Sequence, residues 1–288
     1  MNKIDRTRFK HSWEEAIEIL RRDPAHHGLI FDSYLTADLN ENARRFRASG
    51  EFAEVLALLK TYAQAATKLL DIPGGNGIAT AAFASAGFAV TTVEPDPSHT
   101  VGRGAIQKVL QGAGLQAELV NAYSENLPFP DASFDVVYVR QGLHHASDLD
   151  CTLKEYFRVL RPGGVLLACR EHVVDDYGAS LDAFLGSQPD HQLYGGEHAF
   201  TLADYRGAIG KAGFNLAREW DPFESVINLA PGSPESLNRS ILASRPGAIL
   251  SCFLPERAVI NIGVWWRRRK KLPGRIHSFL AMKPGTRS

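Results

Sequence analysis

The chain has 288 residues, of which 44% are hydrophobic and 22% charged, as expected for a water-soluble globular protein with one large α/β domain and an appended lobe, or with two modest domains. Lys plus Arg and Asp plus Glu number 32 each, so no overall positive field predicts a nucleic-acid partner. The three cysteines show no metal-ligand spacing, the N-terminus has no apolar signal core, and no apolar run reaches membrane-spanning length, so we expect a cytoplasmic protein.

The first part of the chain predicts a helical lobe. Ser12 and Glu15 form a capping box ahead of a short amphipathic helix. A longer helical pattern follows, with these apolar side chains on one face: Phe52, Val55, Leu56, Leu59 and Tyr62. We expect residues 1–66 to form an N-terminal helical lobe and residues 67–288 to form the main domain.

Strands and helices alternate after this lobe. Apolar runs predict five strands, at residues 69–72, 88–93, 115–120, 134–139 and 165–169, and two later strands at residues 214–220 and 276–282. Alternation with short turns predicts an α/β fold with a doubly wound, Rossmann-like sheet that is mostly parallel, with one antiparallel strand near the C-terminus. Residues 171–198 are expected to be mostly irregular. Substrate-cap elements are expected at about residues 171–200 and 228–274.

The stretch from Lys68 to Thr80 predicts a ligand-binding turn. A short apolar run carrying Asp71 breaks into a turn with three glycines (Gly74, Gly75 and Gly77) and then an alanine-rich helix. Such a turn exposes backbone N–H groups at a helix N-terminus, where a polar ligand can approach closely. Glu94 closes the next apolar run about 20 residues later, the spacing at which a βαβ unit presents a carboxylate to ribose hydroxyls.

Two details favour S-adenosylmethionine over a dinucleotide as the ligand of this turn. The dinucleotide pattern G-x-G-x-x-G/A needs a third small residue, and counting from Gly75 and Gly77 places Thr80 there. Asp71 stands where it would repel a pyrophosphate but could accept hydrogen bonds from a cationic amino-acid moiety or a sugar. S-adenosylmethionine has no phosphate and carries a sulfonium, so electrostatics favours it.

Several segments resemble, in order, the motifs of class I S-adenosylmethionine-dependent methyltransferases. Residues 70–77 resemble motif I and residues 93–96 resemble motif II. Residues 124–129, 133–137, 143–145 and 158–164 are similar to the remaining signature of the ubiquinone-methyltransferase-like, small-molecule subgroup. The resemblance covers about residues 69–169. It departs from the family pattern at Pro73, which replaces the first motif I glycine, and at Tyr123, where an acid often stands.

The resemblance implies S-adenosylmethionine as cofactor and S-adenosylhomocysteine as product. Glu94 would bind both ribose hydroxyls, Tyr123 could stack on the adenine, and Arg140 would face the methionine moiety. The residues expected around the cofactor are Asp71, Pro73, Gly74, Gly75, Gly77, Glu94, Pro95, Tyr123, Ser124, Glu125, Arg140 and Gln141. A non-catalytic module that binds S-adenosylmethionine or a partner stays open, because Pro73 and Tyr123 depart from the pattern.

Three histidine-bearing segments are expected where ligands of open α/β sheets bind, outside the carboxyl ends of the strands. A hydroxyl nucleophile must lose its proton, and histidine suits that role near neutral pH. His145 and His172 are the leading candidates for the base, followed by His191 and His144, with Glu171 orienting them. Alternatively, His144 or His145 caps the next helix. No pair of histidines has metal-ligand spacing, so no metal is predicted.

The predicted reaction is methyl transfer to a small molecule. The first candidate for the acceptor is a hydroxyl oxygen of a sugar or polysaccharide precursor, and the second candidate is a quinone or other aromatic natural product. The basic segment from Trp265 to Lys271 predicts contact with a membrane interface or an anionic, glycan or lipid-linked acceptor, unless it is a solvated helix end. A nucleic-acid substrate is also disfavoured because Arg140 to Leu143 replace the Asn/Asp-Pro-Pro-aromatic tetrapeptide. The oligomeric state stays open.

Overall fold

The computed structural model describes residues 9–285, so the first eight residues of the expected lobe lie outside the described range. Four α-helices precede the sheet: α1 (Trp13–Arg22), α2 (His27–Asp32), α3 (Leu39–Arg47) and α4 (Gly50–Tyr62). The predicted capping box is confirmed, because the Ser12 hydroxyl accepts from the Glu15 N–H while the Glu15 carboxylate accepts from the Ser12 N–H. The division of the chain at residue 66 stays a prediction.

A mostly parallel sheet forms the centre of the molecule. Its strands are β1 (Lys68–Asp71), β2 (Ala89–Val93), β3 (Glu118–Val120), β4 (Phe134–Arg140), β5 (Leu160–Val174), β6 (Phe200–Thr201), β7 (Asn215–Trp220) and β8 (Arg275–Met282). Their order is β3-β2-β1-β4-β5-β8-β7, with β6 beside the end of β5. Strand β8 runs antiparallel to both of its neighbours. The predicted doubly wound fold with one antiparallel strand near the C-terminus is therefore confirmed.

The remaining helices cover the sheet or extend from it. They are α5 (Ile78–Ser85), α6 (Arg103–Ala113), α7 (Leu149–Val159), α8 (Ala179–Gly186), α9 (Pro189–Tyr194), α10 (Leu202–Ala212), α11 (Val226–Leu229), α12 (Pro234–Leu242), α13 (Arg245–Ser251) and α14 (Glu256–Arg269). Apolar clusters pack on both sides of the sheet, as a sheet between two helical layers requires. Within residues 9–285, no helix combines the length and the apolar character needed to cross a bilayer.

The segment after β4 and α7 differs from the sequence prediction. Strand β5 extends well beyond residues 165–169, because its register shifts at Arg170 and Glu171 then pairs with His277 of β8. The expectation of mostly irregular structure up to residue 198 is wrong, because this stretch also contains α8 and α9. Tertiary contacts account for the difference: α9 packs against α1, where Trp13 and Tyr194 place their ring centroids 4.8 Å apart. Such contacts leave no periodic signal in so short a segment.

A buried ion pair joins the helical lobe to the sheet. Arg140, at the end of β4, donates to both carboxylate oxygens of Glu51 in α4, at 2.7 and 3.1 Å. The Glu51 side chain is inaccessible to solvent and that of Arg140 is nearly so. Losing one partner of such a pair typically costs about 3–5 kcal/mol, because a charge is left buried without compensation. The pair therefore fixes α4 against the end of β4.

Candidate active site

The glycine turn after β1 packs closely against the sheet on one side and leaves space for a ligand on the other. Gly75 and Gly77 have φ values of +53° and +86°, which favour glycine. A Cβ atom on Gly74 would collide with the side chains of Thr92 and Ile106, whereas one on Gly75 would meet nothing within 4 Å. Gly74 is therefore required for packing, and Gly75 opens onto free space.

Asp71 is buried beneath this turn and held by a threonine pair. The Thr80 hydroxyl donates to Asp71 Oδ2 at 2.7 Å, and the Thr92 hydroxyl donates to Thr80 at 3.1 Å. Asp71 Oδ1 has no hydrogen-bond partner within the described residues. Burial is the main cause that raises the pKa of Asp71 to about 7. Thr80, which the sequence presents only as a poor dinucleotide match, anchors this carboxyl.

Glu94 is fixed against the same turn. Its two carboxylate oxygens accept from the backbone N–H groups of Gly75 and Asp96, at 2.8 and 2.9 Å. Burial raises its pKa to about 7. A carboxylate offers about four acceptor positions, so two remain for the hydroxyl groups of a ligand.

A cavity of about 770 Å³ opens beside the turn and extends across the ends of β1, β4 and β5. Among the sequence-predicted site residues, those that line it are Asp71, Pro73, Gly74, Gly75, Glu94, Pro95, Tyr123, Ser124, Glu125, Arg140, Gln141, His144, His145 and His172. Gly77, Glu171 and His191 are not among the lining residues. The structure thus brings most of the predicted residues around one space.

The residues expected near an adenine ring also form hydrogen bonds within the protein. The Ser124 hydroxyl accepts from Tyr156 at 3.1 Å, and Glu125 accepts from the Ser147 N–H at 2.7 Å. Tyr123 is exposed. Gln141 has a left-handed backbone (φ +51°) and accepts from the Arg140 guanidinium at 2.9 Å. Loops after β3 and β4 therefore hold one another in place around this side of the cavity.

Glu171 organises the opposite side of the cavity. It is fully buried and accepts three hydrogen bonds: from the Gly142 N–H at 3.0 Å, from the His144 N–H at 3.1 Å, and from His144 Nδ1 at 2.9 Å. Burial alone would lower the pKa of His144, but its hydrogen bonds to Glu171 and Glu197 outweigh this effect and raise the pKa to about 9. His144 is therefore doubly protonated and positively charged at neutral pH when no other ligand binds it.

Glu197 completes this cluster and was not predicted from the sequence. One of its carboxylate oxygens lies 3.5 Å from His144 Nε2, and the other lies 3.9 Å from His145 Nε2. The Tyr194 hydroxyl donates to Glu197 at 2.6 Å. The only local signal was an acid directly after Gly195 and Gly196 in a histidine-rich segment, which is too weak to single it out.

His145 and His172 are the uncharged members of the cluster. Burial, followed by the positive charge on His144, lowers the pKa of both, and that of His172 falls well below its ordinary value. His145 Nδ1 lies 3.1 Å from the Gly196 carbonyl, which can only accept, so Nδ1 bears the proton and Nε2 keeps its lone pair. The side chain of His145 is partly exposed, whereas the His172 ring packs between His144 and Phe184.

Two sequence expectations about histidine fare differently. Neither His144 nor His145 caps α7, because Asp148 does so by accepting from the Cys151 N–H at 2.9 Å, and the capping alternative is therefore wrong. His191 does not line the cavity, and its ring contacts Phe9 with centroids 5.4 Å apart. Its part in the chemistry stays a prediction.

Comparisons with known proteins find similarity in the segment that carries the glycine turn and Glu94. Residues 70–168 match a family described as "Methyltransferase domain". The ubiquinone/menaquinone biosynthesis C-methyltransferase UbiE of Hahella chejuensis is 42% identical over 112 residues, covering 38% of this chain and 44% of that protein. The enzyme of the same name from Shewanella sp. (strain ANA-3) is 37% identical over 161 residues, covering 54% and 56%. The chain spans about half the length of the curated relatives it matches.

Solved structures share the fold at low sequence identity. The [4+2]-cyclase SpnF aligns with a TM-score of 0.55 and 20% identity, covering 84% of each chain. Haemonchus contortus phosphoethanolamine N-methyltransferase 2, solved in complex with S-adenosyl-L-methionine, aligns with a TM-score of 0.58 and 18% identity, covering 96% of this chain and 61% of that one. These similarities establish the Rossmann-like architecture.

The buried Asp71 makes a testable contribution to stability. Its folded-state pKa of about 7 lies above the ordinary 3.8, so between these values the folded chain keeps a proton that the unfolded chain loses. Wild-type stability therefore falls as pH rises through this window. Asp71→Asn removes this titration. We therefore expect the free energy of unfolding of the variant to rise by about 2–4 kcal/mol relative to that of wild type as the pH increases from 4 to 8. Urea denaturation across this pH range measures it.

The control for this experiment is Asp150→Asn. Asp150 is partly exposed and pairs with Lys211 at 3.0 Å, an arrangement worth at most about 1 kcal/mol. A pH dependence in Asp71→Asn that matches wild type would contradict the raised pKa of Asp71.

Proposed function

We propose that this chain, a class I S-adenosylmethionine-dependent methyltransferase of the ubiquinone-methyltransferase-like kind, transfers a methyl group to a small-molecule acceptor. The observation that carries the proposal is that one cavity joins the glycine turn and Glu94 on one side to the histidine–carboxylate cluster on the other. The first side suits a cofactor and the second suits an acceptor that must lose a proton.

The residues of the turn fit S-adenosylmethionine. Asp71 Oδ1 is buried and unpartnered within the described chain, and a cationic group would stabilise its ionised form. Glu94 has acceptor positions left for two ribose hydroxyls, and Gly75 leaves space for close approach. When bound, S-adenosylmethionine supplies an electrophilic methyl group on a sulfonium, and S-adenosylhomocysteine is the product.

The protein's own contribution is positioning, exclusion of water and removal of the acceptor's proton. His145 is the best placed base, because Gly196 fixes Nδ1–H, Nε2 keeps its lone pair, and the partly exposed side chain lines the cavity. His172 is the second candidate, since it is uncharged and lines the cavity. His144 is unsuited, because Glu171 and Glu197 keep it protonated.

An aromatic acceptor fits the cavity better than a sugar. Its wall on the α1 and α2 side is apolar, with Trp13, Ile17, Leu20, Leu29, Ile30 and Leu35. Trp13 packs on Tyr194, which in turn donates to Glu197, so aromatic surface lies next to the proton-accepting cluster. Sugar hydroxyls would lose hydrogen bonds to water against this wall. A quinol or another phenolic natural product is therefore our first choice.

Both oxygen and carbon methylation begin with the same proton transfer. A deprotonated phenol carries negative charge on its oxygen and on ring carbons, so His145 would activate either position. The curated relatives are named as C-methyltransferases of ubiquinone and menaquinone biosynthesis, which supports the carbon outcome. The sugar hydroxyl expected from the sequence becomes the second candidate.

We also propose that the inserted helices act as the acceptor cap. Gln188, Asp190 and Tyr194 place the α9 segment on the cavity wall. The α11 segment lies behind Arg170, which lines the cavity and whose guanidinium donates to the carbonyls of Ile227 and Ala230 at 2.8 Å. The α9 segment lies within the cap expected at residues 171–200, and the cap expected at residues 228–274 stays a proposal.

Cofactor binding can be tested at Glu94. Glu94→Gln keeps the size of the side chain but removes the charge and one acceptor, so we expect S-adenosylmethionine and S-adenosylhomocysteine to bind about 10–100-fold more weakly. Isothermal titration calorimetry measures both affinities. Glu118→Gln is the control and should bind like wild type, because Glu118 lies on β3 and accepts a hydrogen bond from the Thr91 hydroxyl at 3.0 Å. If wild type binds neither ligand, the enzyme proposal fails and a non-catalytic module replaces it.

The base can be tested at His145. His145→Ala should lower kcat about 10²–10⁴-fold with little change in cofactor affinity, because a general base contributes in the transition state. Release of S-adenosylhomocysteine in the presence of phenols, quinols or nucleotide sugars gives the rate and ranks the acceptors. The exposed His27→Ala is the control. Near-normal turnover in His145→Ala, His172→Ala and His191→Ala alike would show that the assignment of the base to these histidines is wrong.

Membrane contact at the end of α14 belongs to the same proposal, as does a cytoplasmic location. Trp265 and Trp266 are about half exposed, and the Arg269 guanidinium stacks 4.0 Å above the Trp265 ring. Vesicles with anionic lipid should sediment the wild-type protein, and replacing both tryptophans by Ala should reduce this, because aromatic and basic groups act together at an interface. Neutral vesicles are the control. No binding to anionic vesicles would leave a solvated helix end.

A further inference from the structure

Three side chains from distant parts of the chain converge at the histidine side of the cavity. His144 lies in the short helical turn after β4 (Leu143–His145), His172 lies on β5, and Glu197 follows α9. One ring nitrogen from each histidine and one carboxylate oxygen of Glu197 all lie within 4.8 Å of one another. The set therefore combines two imidazoles and one carboxylate around a single point.

We propose that His144, His172 and Glu197 bind one divalent transition-metal ion at the acceptor side of the cavity. Two histidines and one glutamate are a donor set that suits Zn²⁺ or Fe²⁺, with positions left open for an exogenous oxygen ligand. The site departs from the sequence expectation of no metal, because its ligands are separated by 28 and 25 residues and no local motif records them.

The distances within the cluster are close to those a metal would impose. Ligand atoms about 2.05 Å from a tetrahedral metal lie about 3.3 Å apart. His144 Nε2 and Glu197 Oε2 are 3.5 Å apart, so this pair needs almost no movement. His172 completes the set after a small rotation of its ring, since its ligand atom already lies within 4.8 Å of the other two.

The surroundings of His144 match those of a metal ligand. Metal-binding histidines usually donate their other ring N–H to a carboxylate or carbonyl, which fixes the ring and leaves the free nitrogen for the metal. His144 Nδ1 lies 2.9 Å from Glu171, which is fully buried and also holds the backbone of the same turn. His144 Nε2 is thereby directed at Glu197 and the cluster.

His172 provides an independent observation. Its ring packs against His144 and Phe184, and within residues 9–285 neither of its nitrogens has a hydrogen-bond partner. The ring is only partly buried and lines the cavity, so a nitrogen that no protein group holds can face an ion there, and coordination would satisfy it. Glu197 is held from the other direction by the Tyr194 hydroxyl at 2.6 Å. All three ligands are therefore positioned by neighbours that do not compete for the metal.

A metal here would act on the acceptor. The cluster lines the cavity, so an open coordination position would take the acceptor's hydroxyl oxygen and make its proton easier for His145 to remove. This consequence rests on the proposed methyl transfer, whereas the binding of the metal does not. The two can therefore be tested separately.

The experiment is a titration of metal-free full-length protein with Co²⁺, followed by its visible d–d absorption, with Zn²⁺ as competitor. We expect one equivalent to bind and Zn²⁺ to displace it. His172→Ala and Glu197→Gln should each weaken binding at least about 100-fold, and Glu171→Gln should weaken it about 10–100-fold, as is typical for an outer-shell partner. His198→Ala, a histidine adjacent to Glu197 but outside the set, should bind like wild type.

Two results would overturn the site: no saturable Co²⁺ binding by wild type between pH 6 and 9, or equal binding by His172→Ala and Glu197→Gln. Circular dichroism of each metal-free variant shows whether it is folded, and His172→Gln replaces His172→Ala if the latter is not. Calorimetry with S-adenosylmethionine on the same samples separates the two proposals. Cofactor binding without Co²⁺ binding would reject the metal site and leave the methyltransferase proposal intact.

Discussion

The hydrogen bonds of Glu171 are the constraint on which the acceptor side of the site depends. This carboxylate lies inside the protein and takes three N–H donors from the turn after β4. Without it, buried donors of Gly142 and His144 would lose their acceptor, at about 1–3 kcal/mol each. One residue of β5 thus fixes both the path of the neighbouring loop and the orientation of the His144 ring.

The position of Glu171 itself follows from an irregularity in the sheet. Arg170 adopts a left-handed backbone (φ +61°), and its N–H is taken by the Ser278 hydroxyl at 3.0 Å instead of by a regular ladder partner. The register against β8 shifts between Ala168 and Glu171. This bulge turns Glu171 inward and lets β5 continue as far as Val174, so that His172 also reaches the cavity. Bulges next to functional sites commonly re-aim side chains in this way.

The sequence predicted what is encoded by local spacing. The alternating pattern and the glycine turn led to the confirmed fold and to the confirmed resemblance to class I methyltransferases. It could not reveal Thr80 as the partner of Asp71, because that contact crosses from α5 to β1. Nor could it place Glu197 beside His144, since their distance of 3.5 Å depends on how α9 packs on α1. Local sequence patterns determine helices and strands, whereas clusters of side chains from distant parts of the chain depend on tertiary packing.

Strand order explains why the two sides of the cavity face each other. Strand β1 pairs with β4, and β4 pairs with β5, so their carboxyl ends are neighbours in the sheet. Two strand spacings amount to about 10 Å, which places the glycine turn and the histidine cluster a small molecule apart. This separation belongs to the sheet and does not depend on the acceptor. The apolar wall of α1 and α2 and the α9 segment do not belong to the sheet. They can therefore determine which acceptor binds, while the sheet keeps the glycine turn and the histidine cluster at a constant distance.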